Sequence, residues 1–100
     1  CEKAGVDPTK MITGLTGGWA DSKILQTHGQ RMIKKDFLPK GKTSTQLKDM
    51  NNILDSAKTL NLHLPISTLV KGMYNNLVNN GHGNEDHSSL YKEIERINQK

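Results

Sequence analysis

Aromatic residues make up only 4% of this sequence of 100 residues. The four rings are those of Trp19, Phe37, Tyr74 and Tyr91. We expect these rings to anchor a core that otherwise consists of Leu, Ile, Met and Val. Because apolar residues amount to just 33% of a chain that is long enough for one small domain, we expect another domain or subunit to cover part of the apolar surface.

Cysteine and long apolar runs are also scarce. The one cysteine, Cys1, excludes an internal disulfide bond and is typical of a reducing compartment. No apolar run approaches the roughly 20 residues that a membrane-spanning helix needs, and the N-terminal CEKAGVDP has no signal-peptide core. The chain begins without Met. We therefore expect a piece of a longer cytoplasmic protein that has no membrane partner.

The charge is moderately basic, with 14 Lys and Arg against 10 Asp and Glu, for a net charge of +4. The densest basic stretch runs from Arg31 to Lys42. Nucleic-acid-binding proteins usually combine such charge with aromatic residues or a recognition motif, and neither is evident. We therefore expect no nucleic-acid partner, and steep salt dependence in a binding assay would contradict this.

The clearest pattern lies between Lys42 and Leu62, where apolar residues recur at steps of three and four. These residues are Leu47, Met50, Ile53, Leu54, Ala57 and Leu60. The period predicts an amphipathic helix of about five turns. Thr43 and Gln46 have the spacing of a capping box, so we expect the helix to begin at Ser44.

A polar stripe follows the opposite face of this predicted helix, because spacings of three, four and seven return to one side. It consists of Lys48, Asn51, Asn52 and Asp55. The stripe fits either a plain solvated surface or a surface that meets a ligand, and periodicity does not choose between them.

Cap and turn residues predict four further main helices. Asp7-Pro8 starts one that stops at Gly17-Gly18. A second begins at Asp21 or Ser22 and runs to Lys35, with Gly29 marking a close helix crossing. The remaining start signals are Pro65, and Asp86 or Ser88. No segment alternates like a strand, so the predicted fold is an all-α bundle of about five main helices.

Only one local group resembles a metal cluster, consisting of His82, Glu85, Asp86 and His87. These histidines lack a partner motif such as H-E-x-x-H. The simpler interpretation makes Asp86 a helix cap and the histidines loop surface, so we expect no metal site. No nucleophile elbow or comparable signature is present either.

Five segments, in this order and spacing, resemble the C-terminal helical domain of the β-hydroxyacid dehydrogenases. They are Glu2–Pro8 (EKAGVDP), Phe37–Pro39, Lys48–Asp55 (KDMNNILD), Pro65 and Gly81–Leu90 (GHGNEDHSSL). The third matches the family's cofactor motif K-D-L-x-x-A-x-D, and the last matches its GxGxxDhSal ending. Together they span nearly the whole chain.

This resemblance implies that residues 1–100 form the C-terminal domain of a two-domain enzyme related in fold to 6-phosphogluconate dehydrogenase. The N-terminal Rossmann domain and the catalytic Lys would lie upstream. The implied reaction transfers a hydride between NAD or NADP and a short 3-hydroxy acid, such as 3-hydroxyisobutyrate or the product of 2-hydroxy-3-oxopropionate reduction. Lys48 matches the family Lys that closes over the nicotinamide, which makes it the candidate cofactor-binding residue. Met50 replaces the usual Leu of the motif and Asn52 stands near its usual small residue, which leaves the subfamily open.

The resemblance further implies that this domain closes over substrate and cofactor and joins subunits into a homodimer or homotetramer. On this hypothesis the isolated chain is inactive. The alternative is a free-standing helical module that binds a partner protein through its apolar faces without catalysis. A preceding βαβ region with the glycine fingerprint would distinguish the two hypotheses.

Overall fold

The computed structural model describes residues 1–99, which contain five α-helices and no β-strand. The helices are α1 (Pro8–Leu15), α2 (Lys23–Lys34), α3 (Thr43–Thr59), α4 (Pro65–Leu77) and α5 (Leu90–Ile97). The predicted all-α class is therefore confirmed. Within the described part, no helix is both long and apolar enough to cross a bilayer. The chain divides into two compact units, the first of which ends at Asp36.

The first unit pairs α1 with α2, and its helices begin where the cap residues predict. Asp7 accepts a hydrogen bond from the amide of Thr9 at 2.9 Å, and Ser22 accepts one from the amide of Leu25 at 2.8 Å. These side chains satisfy amides that have no partner inside the helix.

Gly29 lies at the predicted close crossing of α1 and α2. A Cβ atom added there would lie 2.7 Å from Cδ1 of Ile12. Only glycine therefore lets the two helices approach this closely without a shift of Ile12.

Trp19 is not a core anchor, contrary to the expectation from the scarcity of aromatic residues. Its side chain is fully exposed, whereas Phe37 and Tyr74 are buried and Tyr91 is half-buried. Trp19 lies in the turn between α1 and α2, where no helix face directs it inward. The low aromatic content suggested that each ring would be needed in the core. It does not predict the direction in which the backbone orients a particular side chain.

The second unit, which begins at Phe37, packs α3, α4 and α5 around a small core. The centre of this core consists of Met50, Tyr74 and Leu77, with Leu47, Val70 and Leu90 partly buried against it. The helical period correctly predicted that Met50 and Ala57 face inward. However, Ile53 and Leu60 of the same face are 46% and 67% exposed, so residues 1–99 leave part of this face uncovered.

The start of α3 differs from the prediction. The helix begins at Thr43, and its cap residue Lys42 makes no capping hydrogen bond through its side chain. The hydroxyl of Thr43 instead donates towards the carbonyl oxygens of Glu85 and Asp86, at 3.1 Å each. The capping-box interpretation was therefore wrong, because a contact with residues far along the sequence uses the same hydroxyl.

The turn between α4 and α5 begins with one turn of π-helix, Val78–His82. Gly81 has a φ of 91°, a conformation that L side chains rarely adopt. A short 3₁₀ helix, His87–Ser89, then leads into α5. Turn chemistry was predicted for residues 79–84 and is confirmed.

Candidate functional site

Lys48 lies on α3, at the start of the predicted polar stripe. Its side chain is 65% exposed and its Nζ lies 3.3 Å from Oδ1 of Asp49, which is 52% exposed. An exposed pair of this kind contributes about 0 to 1 kcal/mol. The ammonium can therefore exchange Asp49 for an anionic or carbonyl group of a ligand at little cost.

The remainder of the stripe is also open to solvent. Asn52 and Asp55 are exposed, and Asn51 is half-buried. The amphipathic pattern thus correctly predicted which side of α3 faces outward. Lys48 is the cation of this stripe, and the helix backbone fixes where the base of its side chain lies.

A buried carboxylate, that of Asp86, holds the backbone just before α3. Its Oδ1 accepts hydrogen bonds from the amides of Lys40 at 3.0 Å and Gly41 at 3.2 Å. Its Oδ2 accepts from the amide of Ser88 at 3.0 Å and from the Ser88 hydroxyl at 2.5 Å. We call this arrangement of Asp86 with Lys40, Gly41 and Ser88 the Asp86 clamp.

The clamp stabilises the ionised form of Asp86. Burial alone raises the pKa of a carboxyl group, but the hydrogen bonds from Ser88, Lys40 and Gly41 outweigh burial here and hold the pKa of Asp86 well below its ordinary value. Asp86 is fully buried. A negative charge in such a place is tolerated only because each oxygen faces N–H or O–H donors.

Further backbone hydrogen bonds lie on both sides of the clamp and join the loop before α3 to the turn before α5. We call the contact between these two segments the junction. The amides of Asp86 and His87 donate to the carbonyl oxygens of Phe37 and Gly41, at 2.9 and 2.8 Å. Thr43 donates from its amide to the carbonyl of Glu85 at 2.9 Å, and its hydroxyl lies 3.3 Å from Oγ of Ser89. The loop before α3 and the turn before α5 are therefore joined along their length.

Tyr74 contributes to this junction from α4. Its hydroxyl donates to the carbonyl oxygen of His87 at 3.2 Å. Burial, together with the nearby charge of Asp86, raises the pKa of Tyr74. Helices α3 and α4 thus both contact the junction, through Thr43 and Tyr74.

The group that resembled a metal cluster has other partners. Oε1 of Glu85 lies 2.7 Å from Nζ of Lys92 and 3.2 Å from Nδ1 of His82. Burial raises the pKa of Glu85, but the hydrogen bonds from Lys92 and His82 lower it by more. The net effect is a pKa below the ordinary value of a glutamate. Nδ1 of His87 lies 3.3 Å from Oε1 of Gln46. Glu85 and Asp86 are thus both held by donors of the chain itself.

Sequence reasoning identified Asp86 as a helix cap but missed its contact with the loop before α3. The Asp-x-Ser spacing predicts the hydrogen bonds to Ser88. Nothing in the local pattern predicts the amides of Lys40 and Gly41, which lie more than forty residues earlier in the chain. The resemblance of residues 81–90 to the family ending implies no structural role for Asp86.

An apolar band is exposed at the end of α3 and along α4. It consists of Leu60, Leu62, Ile66 and Leu69, which are between 56% and 77% exposed. A groove of about 380 Å³ adjoins the band and is lined by Asn52, Ile53, Ser56, Ala57, Leu60, Leu62 and Leu64. Exposed large apolar side chains of this kind are typical of an interaction site.

Comparison with known proteins places this architecture in a family. Residues 1–94 match the profile described as NAD-binding of NADP-dependent 3-hydroxyisobutyrate dehydrogenase. The chain is 43% identical over 93 residues to 2-hydroxy-3-oxopropionate reductase of Escherichia coli, covering 93% of this chain and 32% of that protein. It is 31% identical over 96 residues to a probable 3-hydroxyisobutyrate dehydrogenase-like protein, described as mitochondrial, of Arabidopsis thaliana, covering 96% of this chain and 29% of that protein.

A solved structure has the same fold. The crystal structure of 3-hydroxyisobutyrate dehydrogenase from Salmonella typhimurium matches with a TM-score of 0.85 at 26% identity, covering 91% of this chain and 32% of that one. The chain thus spans about a third of the length of the relatives it matches. The match over residues 1–94 shows that the chain belongs to the NAD-binding domain family of the 3-hydroxyisobutyrate dehydrogenases, as its resemblance predicted.

Proposed function

We propose that this chain is the C-terminal domain of a two-domain NAD(P)-dependent dehydrogenase that acts on a short 3-hydroxy acid. The similarity to 2-hydroxy-3-oxopropionate reductase, at 43% identity, favours a substrate of the 2-hydroxy-3-oxopropionate and glycerate type. A Rossmann domain earlier in the same protein would hold most of the cofactor and supply the catalytic Lys. The bound nicotinamide would supply or accept the hydride.

The role proposed for this chain rests on the exposed ammonium of Lys48. An ammonium offers three donors and a positive charge, which suit a carbonyl, carboxylate or phosphate oxygen. Lys48 extends from a helix whose start is fixed by buried hydrogen bonds, and its pairing with Asp49 at 3.3 Å is easily exchanged. Lys48 would therefore bind the nicotinamide end of the cofactor and orient it beside the substrate.

Replacement of Lys48 in the intact enzyme tests this role, with Lys58 as a matched control. Both are lysines on the exposed surface of α3. We expect Lys48→Ala to weaken cofactor binding about tenfold, because a hydrogen bond to a charged group contributes about 1.5 kcal/mol or more. We expect Lys58→Ala to leave the Kd for the cofactor unchanged. Equal effects of the two variants would remove Lys48 from the site.

The isolated 100 residues should not catalyse hydride transfer, because on this proposal both the catalytic Lys and most of the cofactor site belong to the other domain. An assay of NAD(P)H oxidation with 2-hydroxy-3-oxopropionate would measure this. Turnover by the isolated chain would contradict the proposed division of labour between the domains.

We further propose that the apolar band joins subunits into a homodimer or homotetramer. The support is the exposure of Ile66 at 77% and of the other three members of the band. Ile66→Lys should shift the intact enzyme towards the monomer in sedimentation experiments, because burial of an ammonium in an apolar contact is costly. Ile97→Lys is the matched control, since Ile97 is also exposed, at 55%, but lies on α5 outside the band. An unchanged sedimentation coefficient for Ile66→Lys would contradict this role.

A further inference from the structure

We propose that Asp86 is a positioning residue for Lys48, acting through the start of α3. This inference rests on the proposed function, since it assumes that Lys48 binds the cofactor. The observation that carries it is the Asp86 clamp, in which a fully buried carboxylate joins the loop before α3 to the turn before α5.

The loop from Phe37 to Lys42 has no regular secondary structure of its own. Its backbone is held by Oδ1 of Asp86, which accepts the amides of Lys40 and Gly41. The amide of Asp86 also donates to the carbonyl oxygen of Phe37 at 2.9 Å. Without the carboxylate, two partly buried amide donors near the end of this loop would lose their acceptor, and the loop would adopt other positions.

Gly41 of the clamp lies two residues before the start of α3 in sequence, and Asp86 contacts the first residue of α3 directly. Thr43, the first residue of α3, is fully buried, and its hydroxyl lies within 3.3 Å of oxygen atoms in Glu85, Asp86 and Ser89. Lys48 follows Thr43 by five residues, which is about 7.5 Å along a helix. A shift of the helix start therefore moves the ammonium directly, and a binding group needs to stay within about 0.5 Å of its productive position.

Glu93 offers a matched control because it is an equally buried carboxylate in the same unit. Its side chain is 2% exposed and accepts hydrogen bonds from Asn76 on α4 and Arg96 on α5. None of the hydrogen bonds described for Glu93 reaches the loop before α3. Glu93→Gln should therefore destabilise the domain without moving Lys48.

The test measures the Kd of the intact enzyme for NAD(P)H and its thermal unfolding midpoint in three variants. They are Asp86→Asn, Glu93→Gln and the double variant Lys48→Ala with Asp86→Asn. Asn keeps the size of Asp but places an amide donor against the donors of Ser88, Lys40 or Gly41. We expect both carboxamide variants to lower the unfolding midpoint, and only Asp86→Asn to raise the Kd, by about three- to tenfold.

The double variant separates positioning from general destabilisation. If Asp86 acts through Lys48, Asp86→Asn adds no further loss of affinity once Lys48 is Ala, so the two effects are not additive. Ser88→Ala, which removes a single donor from the clamp, provides a milder variant in case Asp86→Asn does not fold. It should raise the Kd about twofold, again only while Lys48 is present.

Two results would overturn the inference while leaving the proposed function intact. One is a Kd in Asp86→Asn, or in Ser88→Ala where Asp86→Asn does not fold, that rises no more than in Glu93→Gln. The other is a full additional loss of affinity in the Lys48→Ala background. By contrast, an unchanged Kd in Lys48→Ala alone would reject the role of Lys48 itself, and the positioning role of Asp86 with it.

Discussion

Nδ2 of Asn76 on α4 donates a hydrogen bond to Oε1 of Glu93 on α5 at 3.0 Å. The same carboxylate accepts two hydrogen bonds from the guanidinium of Arg96, each at 2.8 Å. The hydrogen bonds from Arg96 are the main reason that the pKa of Glu93 is lowered, and burial opposes them. A buried charge thus joins the last two helices instead of weakening them.

Removal of Arg96 should destabilise the domain, because Glu93 would keep its buried charge with only Asn76 as donor. We expect Arg96→Ala to lower the free energy of unfolding, by an amount that solvent screening limits because Arg96 is half exposed. Arg96→Lys should recover only part of this, since an ammonium cannot reproduce the two-pronged contact. Urea unfolding measures both, and a full recovery by Lys would show that charge alone matters.

Leu77 lies at the centre of the core and is 1% exposed. Leu77→Ala should lower the free energy of unfolding by about 3 kcal/mol. The substitution would leave a cavity between α3, α4 and α5 that the packed helices cannot fill completely. Leu69→Ala on the same helix is the control, since Leu69 is 66% exposed, and it should change the free energy by less than about 0.5 kcal/mol in a monomeric sample. Similar losses from both variants would mean that the apolar band is buried in solution.

Acid should weaken the second unit through Asp86. The pKa of Asp86 in the folded chain lies well below its unfolded value of about 3.9, so near that pH the unfolded state binds more protons. The stabilisation is therefore fully present above about pH 5 and is lost as the pH falls through the folded pKa. The urea midpoint should fall on moving from about pH 6 to pH 3.

Asp86→Asn is the control for this pH dependence. The variant should be less stable at neutral pH, by on the order of 2 to 3 kcal/mol, and its stability should fall less steeply in acid. Parallel acid profiles for the original chain and the variant would assign the loss to other carboxyl groups, such as Glu85 and Glu93, whose pKa values are also lowered.

Gly29→Ala should destabilise the first unit although alanine favours helices by about 1 kcal/mol over glycine. The new methyl group would lie 2.7 Å from Cδ1 of Ile12, and relief requires Ile12 to move. We expect a net loss of about 1 kcal/mol in thermal unfolding. The double variant Gly29→Ala with Ile12→Val should recover stability relative to Gly29→Ala alone, and a gain from Gly29→Ala by itself would contradict the close crossing.

The sequence predicts the helices well because their ends depend on neighbours in the chain. Asp7 and Ser22 mark helix starts through hydrogen bonds to amides within three residues, and Pro65 marks one by occupying the first turn of α4. The capping box predicted for Thr43 was wrong because it considered neighbours in the chain alone. The local spacing of Thr43 fits a cap, but its hydroxyl bonds to residues beyond position 84. Contacts between distant segments leave no periodic trace in the sequence.

The candidate site likewise contains one feature that the sequence predicted and one that it did not. Lys48 was found through a resemblance, and the helical period placed it on an exposed face. The clamp around Asp86 was not found, because a carboxylate that caps its own turn and also holds a loop more than forty residues away has the same local spacing as an ordinary cap. Family membership now favours the dehydrogenase hypothesis over a free-standing interaction module.

The clamp holds the loop before α3 by main-chain amides, which every amino acid except proline possesses. The side chains of Leu38, Pro39, Lys40 and Lys42 meanwhile remain exposed. Substitutions can therefore change the side chains of this short segment while its backbone conformation stays the same. Homologous chains could therefore differ in the charge and size of this exposed segment without a change in the backbone that carries it.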